Sequence, residues 1–444
     1  MDKAKRINTK KIVAIIFVAM IMVFFVSIIT RFILSAVFGI TLGNNASVDE
    51  NSQIPTGTDW SEEYPFSDEY RFRYLTNDGG ETVEIKQTKY EKYNEKVGKI
   101  KDRIEEYSTT LLMGRMKFVE LNATVNKLVG MKLITGTDSV VVMKNGQLTY
   151  ESTEQDTGYA AESTKWFADI LKSKGIDLMY IQSPSKENKF DNQLPDGVTD
   201  YYNINADELL KKLGEKGVKT IDLRPMLNDE AEDYSDCFFR TDHHWKPTTG
   251  VWAAGKIAEA LNESCGYSID PSLGDISNYN VKIYKDYCLG TQGKKVTLNY
   301  TDPEDFQLVY PKKDMSFTAN YSNEKKITGG YTEALLDMKE LSRIDYYNLS
   351  TYSTYLYGNK ALRQIKNNDL HDGKRLLIIG DSFCHCVAPC LATGIEYLDF
   401  LDIRYFNGSV INYIEQTRPD TVIINYNPSS INSDSSLGGT FNFE

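Results

Sequence analysis

Short apolar runs of strand length alternate with stretches of helical period through much of this chain, and that alternation limits the folds open to it. Residues 176–182, 218–223, 375–379, 395–405 and 421–426 read as buried-type strands. Between them, helices are predicted near 159–174, where Trp166 pairs with Ile170 and Phe167 with Leu171 before Gly175, and at 205–217, where Asn205 and Glu208 form a capping box. Another helix opens at Pro247 and carries Val251, Ala254, Ala258 and Leu261 on one face. A hairpin turning at Asn145-Gly146 precedes them. Such alternation implies a mostly parallel sheet covered on both faces by helices. Residues 266–373 are less regular and tyrosine-rich, and read as an elaboration over the sheet edge.

The N-terminal region is different in kind. Residues 12–30 contain only Ser27 and Thr30 as polar side chains, and the apolar character resumes after Arg31. A run of this length nearly crosses a hydrocarbon core of roughly 30 Å, so 12–34 is expected to be an uncleaved transmembrane anchor. Its apolar region is too long for an ordinary signal peptide. Residues 1–11 carry five cations against Asp2, a net of +4, which leaves −16 for the remainder of a chain whose total is −12. A basic segment before the span predicts a cytoplasmic N-terminus and an extracytoplasmic body. So acidic a body repels phosphate backbones and argues against nucleic-acid binding.

Residues 35–83 read as a solvated linker and 84–132 as a helical stalk, leaving 133–444 for the α/β domain. In the stalk, Tyr93, Val97, Ile100, Ile104, Tyr107 and Leu111 follow a 4-3 spacing. This seam suits a helix packed on the main domain or a dimerising stalk. Six cysteines in a chain of 444 residues do not make a disulfide scaffold.

Two segments carry chemistry. In Leu376-Leu-Ile-Ile-Gly-Asp-Ser-Phe383 an apolar strand ends at a glycine turn, which places the Ser382 hydroxyl at the carboxyl end of the sheet. Ser382 suits a nucleophile or a simple helix cap. In Arg240-Thr-Asp-His-His-Trp245 an extended backbone would put Asp242 and His244 on one side and His243 opposite. A carboxylate beside an imidazole fixes its tautomer, so the pair suits a general base and its orienting acid. A structural histidine, or a metal held by Asp242, His243 and His244, are the other readings of that segment. Cys384, His385, Cys386 and Cys390 read as small buried packing residues rather than as metal ligands. The tyrosines at 346, 347, 352, 355 and 357 suit sugar stacking or lid packing.

Asp-x-His-Trp followed by a Gly-Asp-Ser-Phe strand end resembles the DHHW family, which is similar to the SGNH-hydrolase-like proteins that O-acetylate alginate and other cell-surface polysaccharides. Further matching stretches are Tyr180-Ile-Gln-Ser-Pro-Ser-Lys-Glu-Asn188, Tyr357-Gly-Asn359, Leu401-Asp-Ile-Arg-Tyr405 and Arg418-Pro-Asp420. The resemblance implies a three-layer α/β sandwich with Ser382 as nucleophile, His244 as base and Asp242 as orienting acid. Asp-x-His stands before the serine here, whereas the common esterase branch places Asp-x-x-His after it.

The backbone N–H groups of Phe383 and Cys384 and the side chain of Arg404 are expected at the oxyanion, with Asn407 and Asn425 as alternatives. Lys186 and Tyr357 are expected to contact substrate. The resemblance implies no metal and no cofactor. It does imply a polysaccharide acceptor and a separate membrane-bound O-acyltransferase that supplies the acyl group. A carbohydrate esterase with the same triad, and a catalytically silent carbohydrate-binding factor, are the competing functions.

Overall fold

The computed structural model describes residues 73–76, 82–85, 115–134, 139–322, 325–432 and 439–444. The predicted anchor at 12–34 and the seam at 93–111 lie outside the described residues. Among the described residues, no helix is long and apolar enough to cross a membrane. The chain divides into two compact units, Met1–Phe118 and Val119–Glu444. In the first, Arg73–Thr76 pairs antiparallel with Thr82–Ile85, which adds regular structure to the stretch read as linker. A helix then runs over Arg115–Leu128.

The second unit is built on an eight-stranded sheet. Its strands are β1 (Asp177–Gln182), β2 (Thr220–Asp222), β3 (Ser316–Tyr321), β4 (Lys325–Gly330), β5 (Leu362–Asn367), β6 (Arg375–Gly380), β7 (Tyr397–Leu401) and β8 (Thr421–Tyr426). They lie in the order β4-β3-β5-β7-β6-β8-β1-β2. The half from β7 to β2 is parallel, and the remaining three pairings, β7-β5, β5-β3 and β3-β4, are antiparallel. The sheet is thus mostly parallel by a single pairing. The tyrosine-rich elaboration does not lie over the sheet edge as expected; it continues the sheet. Its strands β3 and β5 alternate buried and half-buried positions, the pattern of antiparallel strands with one drier face.

Strand β6 is buried from Leu376 to Gly380, as a central parallel strand must be when helices cover both faces. Leu376 and Ile378 face one layer, with Met179, Ile181 and Ile423. That layer holds helices α3 (Pro247–Cys265) and α4 (Cys384–Leu391). Leu377 and Ile379 face the other layer, with Tyr180, Val422 and Ile424. Helices α1 (Gly158–Ser173), α2 (Tyr201–Glu215) and α5 (Val410–Thr417) cover that side. The result is the three-layer arrangement that the alternation predicted.

Local readings fared unevenly. The hairpin pairs Val140–Val142 with Leu148–Tyr150, and Gly146 takes a φ of +84° at the turn. Pro247 is the first residue of α3. The Asn205–Glu208 capping box does not form. Asp200 caps α2 instead, its carboxylate accepting from the Asn203 N–H. Asn205 lies buried within the helix, where its amide bonds the backbone of Thr153 and Gln155.

Candidate active site

Gly380 ends β6 beside Asn425 of β8, and the chain turns through Asp381 into α4. A Cβ on Gly380 would lie 2.4 Å from Cys384 Sγ and 2.9 Å from the Asn425 carbonyl oxygen, so the turn is closed to larger residues. Asp381 is buried and holds this turn. Its Oδ1 accepts from the Phe383 N–H at 2.9 Å, and its Oδ2 accepts from the Asn427 N–H and the Ser430 hydroxyl. Ser382 is left half-buried at the carboxyl end of the parallel strands, where such sheets gather their ligands.

The Asp-His-His segment reaches the same point as a loop rather than as a strand. Phe238 and Trp245 bridge its ends, and the Phe239 N–H donates to the His244 carbonyl oxygen. Glu304 accepts from the N–H groups of Arg240 and Thr241. Within the loop, Asp242 Oδ1 accepts from the backbone N–H of His244 at 3.1 Å, an Asx turn that folds the carboxylate back over its own chain. The i, i+2 proximity of Asp242 and His244 comes from that turn and not from strand alternation.

The same turn overturns the expectation that His243 points away. Its ring lies 3.8 Å from that of His244, centroid to centroid. One donor atom from each of Asp242, His243 and His244 lies within 4.8 Å of the others, so the divergence argument against a metal there does not hold. The donors of Asp242 and His244 are nevertheless already hydrogen-bonded. His244 Nδ1 is 2.5 Å from Asp242 Oδ1, and its Nε2 is 2.7 Å from Ser382 Oγ. Asp242 Oδ2 accepts from the N–H and hydroxyl of Thr291. His243 Nδ1 meets the Thr291 hydroxyl at 3.0 Å.

Ser382, His244 and Asp242 therefore form one continuous chain of hydrogen bonds. With Nδ1–H directed at the carboxylate, the lone pair of His244 Nε2 faces the serine hydroxyl, as proton abstraction requires. Burial alone would raise the Asp242 carboxyl. The imidazoles of His244 and His243, with the His244 and Thr291 hydrogen bonds, outweigh it and hold the group well below the usual carboxylate range. Burial, with His244 beside it, depresses His243 to about 3, so its ring is neutral.

Several contributors escaped sequence reasoning. Thr291 clamps the carboxylate, and Gly290 must precede it, because a Cβ there would come within 2.2 Å of the Asp242 Cβ. Gly-Thr before a short helix is too common a signal to reveal this. Tyr352 stacks on the His244 ring at 3.9 Å and 14°. The tyrosine cluster is accordingly not one aromatic surface. Tyr352 and Tyr355 are buried, whereas Tyr347 is exposed.

Other expected site residues are occupied differently. The Phe383 N–H is taken by Asp381 Oδ1 and the Cys384 N–H by the Asp381 carbonyl oxygen, so neither is free to meet an oxyanion. Arg404 follows β7, and its Nε and Nη2 donate to Asp402. Asn425 Oδ1 accepts from the Ser183 hydroxyl, while its buried Nδ2 has no hydrogen-bond partner. Lys186 is buried, and its ammonium donates to the carbonyl oxygens of Leu148 and Phe239 and to Gln292 Oε1. It braces the hairpin against the Asp-His loop instead of facing a substrate. Tyr357 packs on Tyr321 and Lys325 of the antiparallel extension, with its hydroxyl on the Glu333 carbonyl oxygen.

All six cysteines are free thiols. Cys384, Cys386 and Cys390 are buried in α4 with His385. Burial pushes the Cys386 and Cys390 thiols up to about 12, which suits packing rather than ligation.

Residues 216–400 match the DHHW protein family, and residues 143–272 match the SGNH hydrolase-like domain of the acetyltransferase AlgX. Over residues 216–400, less than half of its length, the chain is similar to DHHW family proteins. The chain is 26% identical over 103 residues to the alginate biosynthesis protein AlgX of Pseudomonas putida. The match covers 21% of this chain and 22% of that one, so it spans about a fifth of the curated relative. Its fold is shared with PatB1 of Bacillus cereus, with a TM-score of 0.56 and 20% identity over 69% of this chain and 100% of that one. It is shared equally with a DHHW family protein of Eubacterium siraeum, at a TM-score of 0.52 and 18% identity over 70% and 98% of the two chains.

Proposed function

We propose that this chain is an extracytoplasmic serine O-acyltransferase that moves an acetyl group through Ser382 to a hydroxyl of a cell-surface or secreted polysaccharide. The observation that carries the reading is the 2.7 Å approach of His244 Nε2 to Ser382 Oγ, with Asp242 at 2.5 Å behind the same ring. His244 takes the Ser382 proton as Oγ attacks the donor carbonyl carbon. It then returns that proton to the departing group, leaving an acyl-serine ester. The acceptor hydroxyl attacks the ester carbonyl and gives its proton to His244, which passes it to Ser382 as Oγ leaves. Arg404, at the carboxyl end of β7 next to the nucleophile strand, is the proposed oxyanion donor.

An anchor at 12–34 with the body outside the cytoplasm, and an acyl donor supplied by a membrane-bound O-acyltransferase, complete the proposal. They account for the basic start, the apolar run and the acidic body. The acetyltransferase AlgX, whose SGNH hydrolase-like domain the chain matches, supports transfer as the outcome.

The test has two arms. A sulfonyl fluoride should label the full-length chain once, and Ser382→Ala should abolish the labelling; equal labelling of both would remove Ser382 as nucleophile. With p-nitrophenyl acetate as donor, an added polysaccharide should become acetylated. Acetate release that no acceptor can divert would make the protein an esterase, and silence in both arms would make it a binding factor.

A further inference from the structure

The 4-3 spacing of the stalk does not stop at Leu111. Without a break in register it continues through Gly114, Phe118, Leu121, Val125 and Leu128. The last three of these positions lie in the described second unit, on the helix Arg115–Leu128. There Leu121 is 47% exposed, Val125 46% and Leu128 80%. The opposite side of the same helix is docked. Ala123 is buried, and Asn299 Nδ2 donates to the Glu120 carbonyl oxygen and to Thr124 Oγ1, both at 3.1 Å. The helix thus sits on the domain by its polar and small side and turns its apolar heptad seam outward. The sequence allowed either a helix packed on the domain or a dimerising one. The described part packs on the domain by one face and leaves its seam exposed on another.

We infer that Leu121, Val125 and Leu128 form a self-association face that docks the same seam of a second copy of this chain as a parallel two-stranded coiled coil. A seam of period 3.5 fits another helix of the same period, because only then do knobs stay in register with holes along its length. In the described part of the helix the register assigns Val125 to an a position and Leu121 and Leu128 to d positions. β-Branched residues at a with leucine at d favour two parallel strands. In the same part of the helix the positions flanking the seam, Asn122 and Thr124, are uncharged and set no like charges against each other across the pair.

The test uses the full-length chain in mild detergent, with light scattering corrected for bound detergent. The expected particle has twice the 50.5 kDa mass of one chain. Leu121→Glu with Val125→Glu should return it to the mass of one chain. Because both residues are exposed in the single chain, the variant should stay folded and soluble, with its thermal midpoint lowered only by what loss of the second copy removes. Disulfide trapping supplies the second readout: Val125→Cys should cross-link two copies on mild oxidation, whereas Lys127→Cys, exposed but off the seam, should not. A single-chain mass at all concentrations, a dimer that survives the double glutamate variant, or equal trapping at 125 and 127 would each overturn the inference. The first of these outcomes would leave the seam for a different helical partner.

Discussion

The indole N–H of Trp245 donates to the carbonyl oxygen of Phe383 at 3.1 Å. The residue that follows the proposed base is thereby tied to the residue that follows the proposed nucleophile. Helices α3 and α4 extend from these two points and pack so closely that Gly250 meets the Cys386 side chain. One short bond and one close helix contact therefore set the distance between His244 and Ser382.

That contact predicts the outcome of filling it. A Cβ on Gly250 would lie 2.3 Å from Cys386 Sγ. Gly250→Ala should destabilise the domain by about 1–3 kcal/mol, as overpacking does, and should lower turnover by moving α3 away from α4. Adding Cys386→Ala removes the clashing sulfur and should restore part of both, read by urea unfolding and by acetyl transfer.

Asp242 holds the proton of His244 on Nδ1. Asp242→Asn presents an amide N–H or a weaker acceptor to that nitrogen and favours the wrong tautomer. Turnover should fall by roughly ten-thousand-fold while the fold persists. Sulfonyl fluoride labelling should slow in parallel, because it draws on the same proton transfer. A loss of less than ten-fold would mean that His244 is oriented by its packing alone.

Thr291→Val removes the hydroxyl at 3.2 Å from Asp242 Oδ2 and 3.0 Å from His243 Nδ1 and keeps the backbone N–H at 2.7 Å, so one of the two lost bonds bears on the triad carboxylate. The loss of one hydrogen bond of about 1 kcal/mol corresponds to roughly a five-fold fall in turnover. The rate should fall without a matching change in KM, since Thr291 acts through Asp242. Thr291→Ser should recover the wild-type rate.

Lys186→Met should cost about 1–3 kcal/mol by leaving buried carbonyl oxygens unpaired. The sign of the pH dependence follows from the side chain itself. Burial lowers its pKa from 10.5 to about 8, an effect that Glu187 and Glu304 only partly oppose. Below about 8 the folded and unfolded chains both hold the proton, and the contribution is flat. Between about 8 and 10.5 the unfolded chain holds more protons, so stability from this group rises with pH, by at most about 1.4 kcal/mol per unit. The stability difference between wild type and Lys186→Met should therefore widen from pH 8 to pH 10.

How much of this was legible depends on the range of the interactions involved. Strands β6 and β8 could be bounded from sequence because their burial on both faces leaves a continuous apolar run. Ser382 stood out because a strand-ending glycine turn is a local signal. The capping of α2 was misread because Asp200 and Asn205 both have side chains able to cap, and only the packing of Asn205 against Thr153 and Gln155 decides between them. The reading of the Phe383 N–H as an oxyanion donor failed for a related reason. Asp381 reaches forward to take the Phe383 N–H, and nothing in Gly-Asp-Ser reveals which way that carboxylate turns.

By itself the sequence determined the strand–helix alternation, the burial of the central strands on both faces, and which side chains are chemically able to act as nucleophile, base and orienting acid. These properties follow from spacings of two to seven residues. Only the tertiary structure decided that Ser382 and His244, 138 residues apart, meet at hydrogen-bond distance. It also decided that Lys186 is a brace and that Thr291 is a clamp. Contacts of that range depend on how whole layers pack, because a hydrogen bond needs its partners placed to within a few tenths of an ångström, and no local pattern carries that information.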